Sequence, residues 1–231
     1  MSFRFKQFAI EDSKCAMKVG TDGVLLGCWS PTGTRILDVG TGSGLIARML
    51  MQRCPEAQVD AIDIDPAAVE QARENGVNAY HSSLQEWPNH KYKISNIKYD
   101  VVVSNPPYFQ NSLKNPDKGR QLARHTDTLS YAELIHHSAR LLKQEGQLAL
   151  ILPAEAEQEV RALAVSENLF PTLITRVFSK ESKPARRVLL AFSHCPISNI
   201  QYPIIEDTLV LEDDKGGRSR PYQDLCRDFY L

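Results

Sequence analysis

At 231 residues the chain is long enough for one α/β domain with a sizeable core, and its 42% hydrophobic and 24% charged residues are ordinary for a globular protein. A net charge of −1 excludes a uniformly basic surface, so any nucleic-acid contact must come from local patches. Five cysteines, an odd number with no C-x-x-C pair, argue against a disulfide framework or a zinc site, and reduced thiols and no metal are expected. Met1–Ile10 has no apolar run of the secretory kind, and no stretch approaches the roughly 18–20 apolar residues of a membrane span, so we expect a cytoplasmic protein.

In chain order, Arg35–Val39 is an apolar run ending in a glycine-rich loop, and Gly44–Arg53 reads as a helix with Leu45, Ile46, Met49 and Leu50 at helical spacing. Val59–Asp63 is the next strand, and Pro66 opens a helix that stops at Gly76. Asn78–Ser83 is a further strand. Tyr99–Ser104 is a β-branched strand ending at Asn105-Pro106-Pro107-Tyr108, and Tyr131–Lys143 reads as an amphipathic helix closed by Gly146. Gln147–Leu152 is a strand, Ala154–Asn168 a helix, and Thr172–Phe178 and Arg187–Ser193 a final, antiparallel pair. Strands alternating with helices imply a mostly parallel sheet covered on both faces. The polar stretch from Phe109 to Asp127 reads as a functional or disordered loop, and Ile200–Leu231 as an appendage.

Asp38-Val39-Gly40-Thr41-Gly42-Ser43-Gly44 follows a strand and opens a helix, and Asp63 ends the next strand. Glycines permit a tight turn and close approach of a ligand, and an acid at the second strand can accept hydrogen bonds from ribose hydroxyls. The spacing is G-x-G-x-G, not the G-x-G-x-x-G of a nicotinamide site, and Asp38 would repel a pyrophosphate but attract an ammonium group. A P-loop would need Gly-Lys-Ser/Thr, which the loop lacks.

The pattern resembles the Rossmann-like class I S-adenosylmethionine-dependent methyltransferases over roughly Arg35–Leu152. That resemblance implies an α/β fold with a seven-stranded, mostly parallel sheet, an antiparallel last strand and helices on both faces. It implies that Gly40 and Gly42 line the methionine part and that Asp63 holds the ribose. Asp38, Gly44, Ile64, Leu84 and Asn105 complete the cofactor wall, with Leu84 packed on the adenine. Such enzymes often carry an aspartate after the third strand for the adenine amino group. Here Ser83 stands there, and its side chain or a main-chain carbonyl takes over that contact.

Asn105-Pro106-Pro107-Tyr108 supplies the chemistry that an aromatic amino group needs, because that group's lone pair is delocalised into the ring. The Asn105 side-chain oxygen and the Pro106 carbonyl can each accept one amino hydrogen, favouring a pyramidal nitrogen and matching its developing positive charge. Pro107 stiffens the turn, and Tyr108 can stack on a flipped base. The tetrapeptide resembles that of amino-group methyltransferases. By itself it leaves adenine, guanine and a glutamine amide open as acceptors.

Lys18–Trp29, Ala123-Arg124-His125, Lys183-Pro184 with Arg187–Leu190, and Asp228–Leu231 resemble the bacterial tRNA1(Val) (adenine-37-N6)-methyltransferases. The resemblance spans nearly the whole chain. It implies a monomeric enzyme that methylates adenosine-37 of the tRNA(Val) anticodon stem-loop, with Thr21 and Asp22 closing over the cofactor. A helix N-cap at Thr21 or Asp22 is the plainer reading of that pair. Candidate RNA contacts are Lys114, Lys118, Arg120 and Arg124 in the loop after the tetrapeptide, and Lys183, Arg186 and Arg187 near the last strands. The expected organisation is one domain. Residues 1–34 form its cap, 35–195 its catalytic core and 196–231 its appendage. Rival readings are a guanine-N2 or adenine methyltransferase of rRNA or DNA, a release-factor glutamine methyltransferase, and a non-catalytic cofactor-binding module. The intact tetrapeptide and the short stretch before the first strand argue against the last two.

Overall fold

In the computed structural model, which describes residues 2–89, 97–107, 129–194 and 203–230, a short antiparallel ribbon comes first, with Ser2–Arg4 (β1) paired to Ala9–Glu11 (β2). An irregular strap then leads into Thr21–Trp29 (α1), which buries Gly23 through Cys28. Its N-cap is Gly20, with extended backbone and no side-chain cap bond, so neither Thr21 nor Asp22 is the cap.

Arg35–Val39 (β3), Leu45–Arg53 (α2), Gln58–Asp63 (β4), Pro66–Glu74 (α3) and Asn78–His81 (β5) follow in regular alternation. Asp65 caps α3 by accepting from Ala67 N at 2.9 Å, and Pro66 sits where a missing N–H costs nothing. Tyr99–Ser104 (β6) comes next. Tyr131–Leu141 (α4) opens with a capping box in which Ser130 and Glu133 satisfy each other's backbone N–H. Leu142–Pro153 (β7), Glu157–Ser166 (α5), Leu169–Phe178 (β8), Ala185–His194 (β9), Ile205–Val210 (β10) and Arg220–Cys226 (α6) complete the described elements.

The main sheet has eight strands in the order β10-β8-β9-β7-β6-β3-β4-β5, and only β9 runs antiparallel to its neighbours. The expected seven strands are joined by β10, drawn from the C-terminal segment and paired parallel to β8. A second difference lies at Gly146. The helix stops at Leu141 and the glycine lies inside β7, where an added Cβ would fall 2.7 Å from the Tyr99 carbonyl. This glycine permits close strand approach at an irregular register instead of ending a helix.

Two apolar layers flank the sheet. α1, α2, α3 and α6 cover one face, contributing Leu25, Met49, Val69 and Tyr222. α4 and α5, with the 3-10 turn Trp87–Asn89, cover the other, contributing Leu134, Ile135, Val160 and Trp87. Four cysteines are free thiols among the described residues, and Cys28 and Cys226 touch at 3.4 Å where α1 meets α6. Among the described residues no helix is long and apolar enough to cross a membrane.

Candidate functional site

β3 leads to β4 on one side, and the chain later returns to β6 on the other, so a crevice opens at the carboxyl ends of these strands. The glycine loop lies there. Gly40, Gly42 and Gly44 have φ of 70°, 54° and 81°, the left-handed region that glycine alone enters freely. A Cβ added at Gly40 or Gly42 would meet nothing within 4 Å, whereas at Gly44 it would fall 2.7 Å from Val77 Cγ2. The first two glycines therefore face open space, and the third lets α2 approach the end of α3.

The loop is held from two sides. Gly40 N and Thr41 N donate to the Ile62 carbonyl at 2.9 and 3.0 Å. Gly42 N donates to Asp63 Oδ2 at 2.8 Å, and Asp65 N donates to the other Asp63 oxygen at 2.9 Å. Asp38 braces the loop from beneath. Its Oδ2 accepts from Thr41 Oγ1 at 2.6 Å and from Ala47 N at 3.2 Å, while Oδ1 has no partner among the described residues. Complete burial pushes the Asp38 pKa up to about 7 against the pull of those two bonds.

Ser104 Oγ donates to the Val39 carbonyl at 2.8 Å, which ties the end of β6 to the end of β3. Asn105, Pro106 and Pro107 thus begin beside the glycine loop. The strap before α1 closes another side. Asn75, the C-cap of α3, accepts from Glu11 N and donates to the Glu11 and Ser43 carbonyls at 2.7 and 2.8 Å, joining the end of β2, where the strap begins, to the loop through one side chain. Gln71 accepts from Ser13 and Lys14, and Asp12 accepts from Val19 N at 3.0 Å.

These parts enclose a cavity of about 1040 Å³. Its wall brings together Thr21, Asp22, Gly40, Gly42, Asp63, Ile64, Ser83, Leu84, Asn105, Pro106 and Pro107. Asp38 and Gly44 lie behind the loop and do not reach the wall. Arg187 Nε donates to Asp22 Oδ2 at 2.8 Å, so this cation is paired with the start of α1. Lys183 and Arg186 are exposed near the β8–β9 turn. Tyr108, Lys114, Lys118, Arg120 and Arg124 lie outside the described residues. Sequence reasoning passed over the wall residues Cys15–Lys18, Gln85, Glu86 and Glu133. The S-x-x-E spacing of Ser83 and Glu86 is a signal that could have found the last turn.

The wall fits S-adenosylmethionine better than a dinucleotide. Among the described residues Lys18 is the wall's only Lys or Arg, and Lys18 Nζ is committed to the Asp12 and Cys15 carbonyls at 2.6 and 2.9 Å. Among the described residues a pyrophosphate would find no free cation there, while Asp22, Asp63, Asp65, Glu86 and Glu133 suit a positively charged ligand with ribose hydroxyls. No group of three or more His, Cys, Asp or Glu that could hold a metal occurs among the described residues.

A model of the methyltransferase small domain matches residues 13–169. A protein of Parabacteroides distasonis named tRNA1(Val) (adenine(37)-N6)-methyltransferase is 45% identical over 99% of this chain and 97% of its own. A Bacteroides fragilis protein of the same name is 42% identical over the same shares. Among solved structures, one described as a predicted O-methyltransferase from Agrobacterium tumefaciens superposes with a TM-score of 0.68 at 18% identity, covering 90% of this chain and 96% of that one, which is a likeness of fold. With the small-domain model spanning more than half of it and named relatives matching almost end to end, the chain belongs to the tRNA1(Val) (adenine(37)-N6)-methyltransferase family of small-domain methyltransferases.

Proposed function

We propose that the protein methylates the N6 amino group of an adenine in tRNA, namely adenosine-37 in the anticodon loop of a valine tRNA. The observation that supports this most is the shared wall: Asn105-Pro106-Pro107 opens onto the same cavity as Gly40, Gly42 and Asp63. The tRNA and the position come from the names of the relatives. S-adenosylmethionine, when bound, supplies an electrophilic methyl group.

Asp63 would accept from ribose hydroxyls, since among the described residues each of its oxygens takes one bond and keeps a lone pair. Gly40 and Gly42 leave the space that the methionine part occupies. Asn105 and the Pro106 carbonyl would accept the two amino hydrogens of the target adenine, localising its lone pair and matching the charge that develops on nitrogen. Holding amine and methyl donor in line contributes much of the remaining acceleration. No strong general base is required, because the methylated amine is acidic enough to lose its proton to water. Lys183 and Arg186, which are exposed, would meet phosphates.

The test is transfer of labelled methyl to total tRNA lacking the modification, with nucleoside mapping. N6-methyladenosine at position 37 of valine tRNA is expected. Label in ribosomal RNA, DNA or protein, with none in tRNA, would overturn the substrate and leave the methyltransferase.

A further inference from the structure

The strap before α1 is a closed loop fastened at its base. Val19 N donates to Asp12 Oδ2 at 3.0 Å, and Lys18 Nζ donates to the Asp12 and Cys15 carbonyls at 2.6 and 2.9 Å, so the segment between is pinched shut. Its base rests on one face of α3, where Glu70, Gln71 and Glu74 stand at the spacing of helical neighbours, with Asn75 following at the C-cap. Lys14 Nζ pairs with Glu74 and Glu70 at 2.6 and 3.0 Å. Gln71, which is buried, accepts from Ser13 Oγ and Lys14 N at 3.2 Å each.

Asn75 differs from these three, because its bonds reach both the strap's base and the glycine loop. A carboxamide has two N–H donors and an oxygen acceptor on one short fork. One donor goes to the Glu11 carbonyl at 2.7 Å and the other to the Ser43 carbonyl at 2.8 Å, while the oxygen accepts from Glu11 N at 3.0 Å. Cys15–Gly20 and Gly40–Ser43 both line the cavity, and Asn75 does not reach its wall. One side chain outside the cavity therefore ties together two of its walls. An aspartate in the same place would keep the acceptor for Glu11 N and set an oxygen against both carbonyls.

We propose that Asn75 is a positioning residue that sets how long the cofactor stays bound, by locking the base of the strap to the glycine loop. This rests on the cofactor reading above. A ligand held between these walls leaves when they part, and the parting breaks the bond from Asn75 to Ser43. Loss of the lock speeds departure and leaves the transfer step, which belongs to Asn105 and Pro106, as it was.

The experiment is surface plasmon resonance of S-adenosylhomocysteine on the whole protein, beside single-turnover methyl transfer at saturating S-adenosylmethionine. Asn75→Asp is expected to raise the dissociation rate by about tenfold, the worth of its two lost donors, with the association rate within about twofold of wild type. Asn75→Ala, which lacks the opposing oxygen, is expected to raise it by about fivefold. The single-turnover rate at saturation is expected to stay within about twofold in both. Arg176→Ala, destabilised at a distance from the strap, is the control for a general loss of stability and is expected to keep the wild-type dissociation rate. A lowered Tm in the Asn75 variants with an unchanged dissociation rate would reduce the residue to a structural one and overturn the proposal. An affinity loss carried by the association rate, or a fall in the single-turnover rate matching the faster dissociation, would overturn it as well. If Asn75→Asp fails to fold, Asn75→Ala decides by the same criteria. A wild type that binds no S-adenosylhomocysteine would refute the cofactor reading itself, a distinct outcome.

Discussion

Two nearly buried carboxylates, one in each half of the sheet, have opposite surroundings. Glu157 opens α5 beside β8 and accepts from Arg176 at 2.6 and 2.9 Å and from Arg161 at 3.2 Å. Those bonds, Arg176 first, hold its pKa below the ordinary glutamate value. Asp38, beneath the glycine loop, has among the described residues no cation and one oxygen without a partner, and burial drives its pKa up to about 7. In the β7–β10 half the Glu157 carboxylate has cation partners on both oxygens. The half containing the cradle carries glycines whose left-handed backbone leaves open the space a ligand needs, and an acid whose burial costs stability.

The contrast can be broken most severely at Asn105. Asn105→Ala is expected to lower methyl transfer by at least about 100-fold while S-adenosylhomocysteine affinity changes less than about threefold. Single-turnover rates and calorimetry read the two quantities, and a collapse of affinity would show that amine and cofactor sites are not separable.

Asp38 gives a signed prediction. Its pKa rises from 3.8 unfolded to about 7 folded, so the folded state holds the proton more tightly, and stability falls as pH rises from about 4 to about 7. Asp38→Asn removes that titration. Between pH 5 and pH 8 the stability of the variant should gain on the wild type by about 2–3 kcal/mol. Parallel curves of Tm against pH would remove the unpaired charge from the account.

Arg176→Ala should cost about 2 kcal/mol and lower Tm by about 5 °C, because it strands the Glu157 carboxylate. Glu157 has the opposite sign to Asp38. Its contribution is complete above the unfolded value near 4.5 and is lost as pH falls through the depressed folded value, so the cost of Arg176→Ala should shrink in acid. The smallest effect is at Gly42. Gly42→Ala places its methyl in open space at positive φ, so backbone strain of about 1 kcal/mol is expected with a loss of cofactor affinity. Gly44→Ala collides with Val77 and should lose stability first.

The same division describes what could be read from the sequence. Arg35–Val39 and Tyr99–Ser104 match their strands residue for residue, because apolar and β-branched runs end there at motifs that interrupt pairing. β10 escaped because it is an edge strand with exposed Ile205, Glu206 and Asp207, which lack the signature of a buried run. The end of α4 was misplaced because Leu141-Leu142-Lys143-Gln144-Glu145 is a good helical sequence that sheet pairing overrides. At the site, the glycine loop, Asp63 and Asn105 were legible as local motifs. The placing of Asp38 behind the wall, the strap held by Asn75, and the Asp22–Arg187 pair depend on contacts between residues far apart in the chain.

The two tryptophans of the chain fall on either side of this division. Trp87 belongs to the turn after β5, while the Trp29 indole at the end of α1 donates to Thr175 of β8 at 2.9 Å. The protein therefore has an intrinsic fluorophore for each half. Variants retaining only Trp29 or only Trp87 would record separate optical melting curves. If the Trp87 signal changes first, the cradle opens before the rest of the sheet; if the curves coincide, the strain around Asp38 is distributed over one cooperative unit.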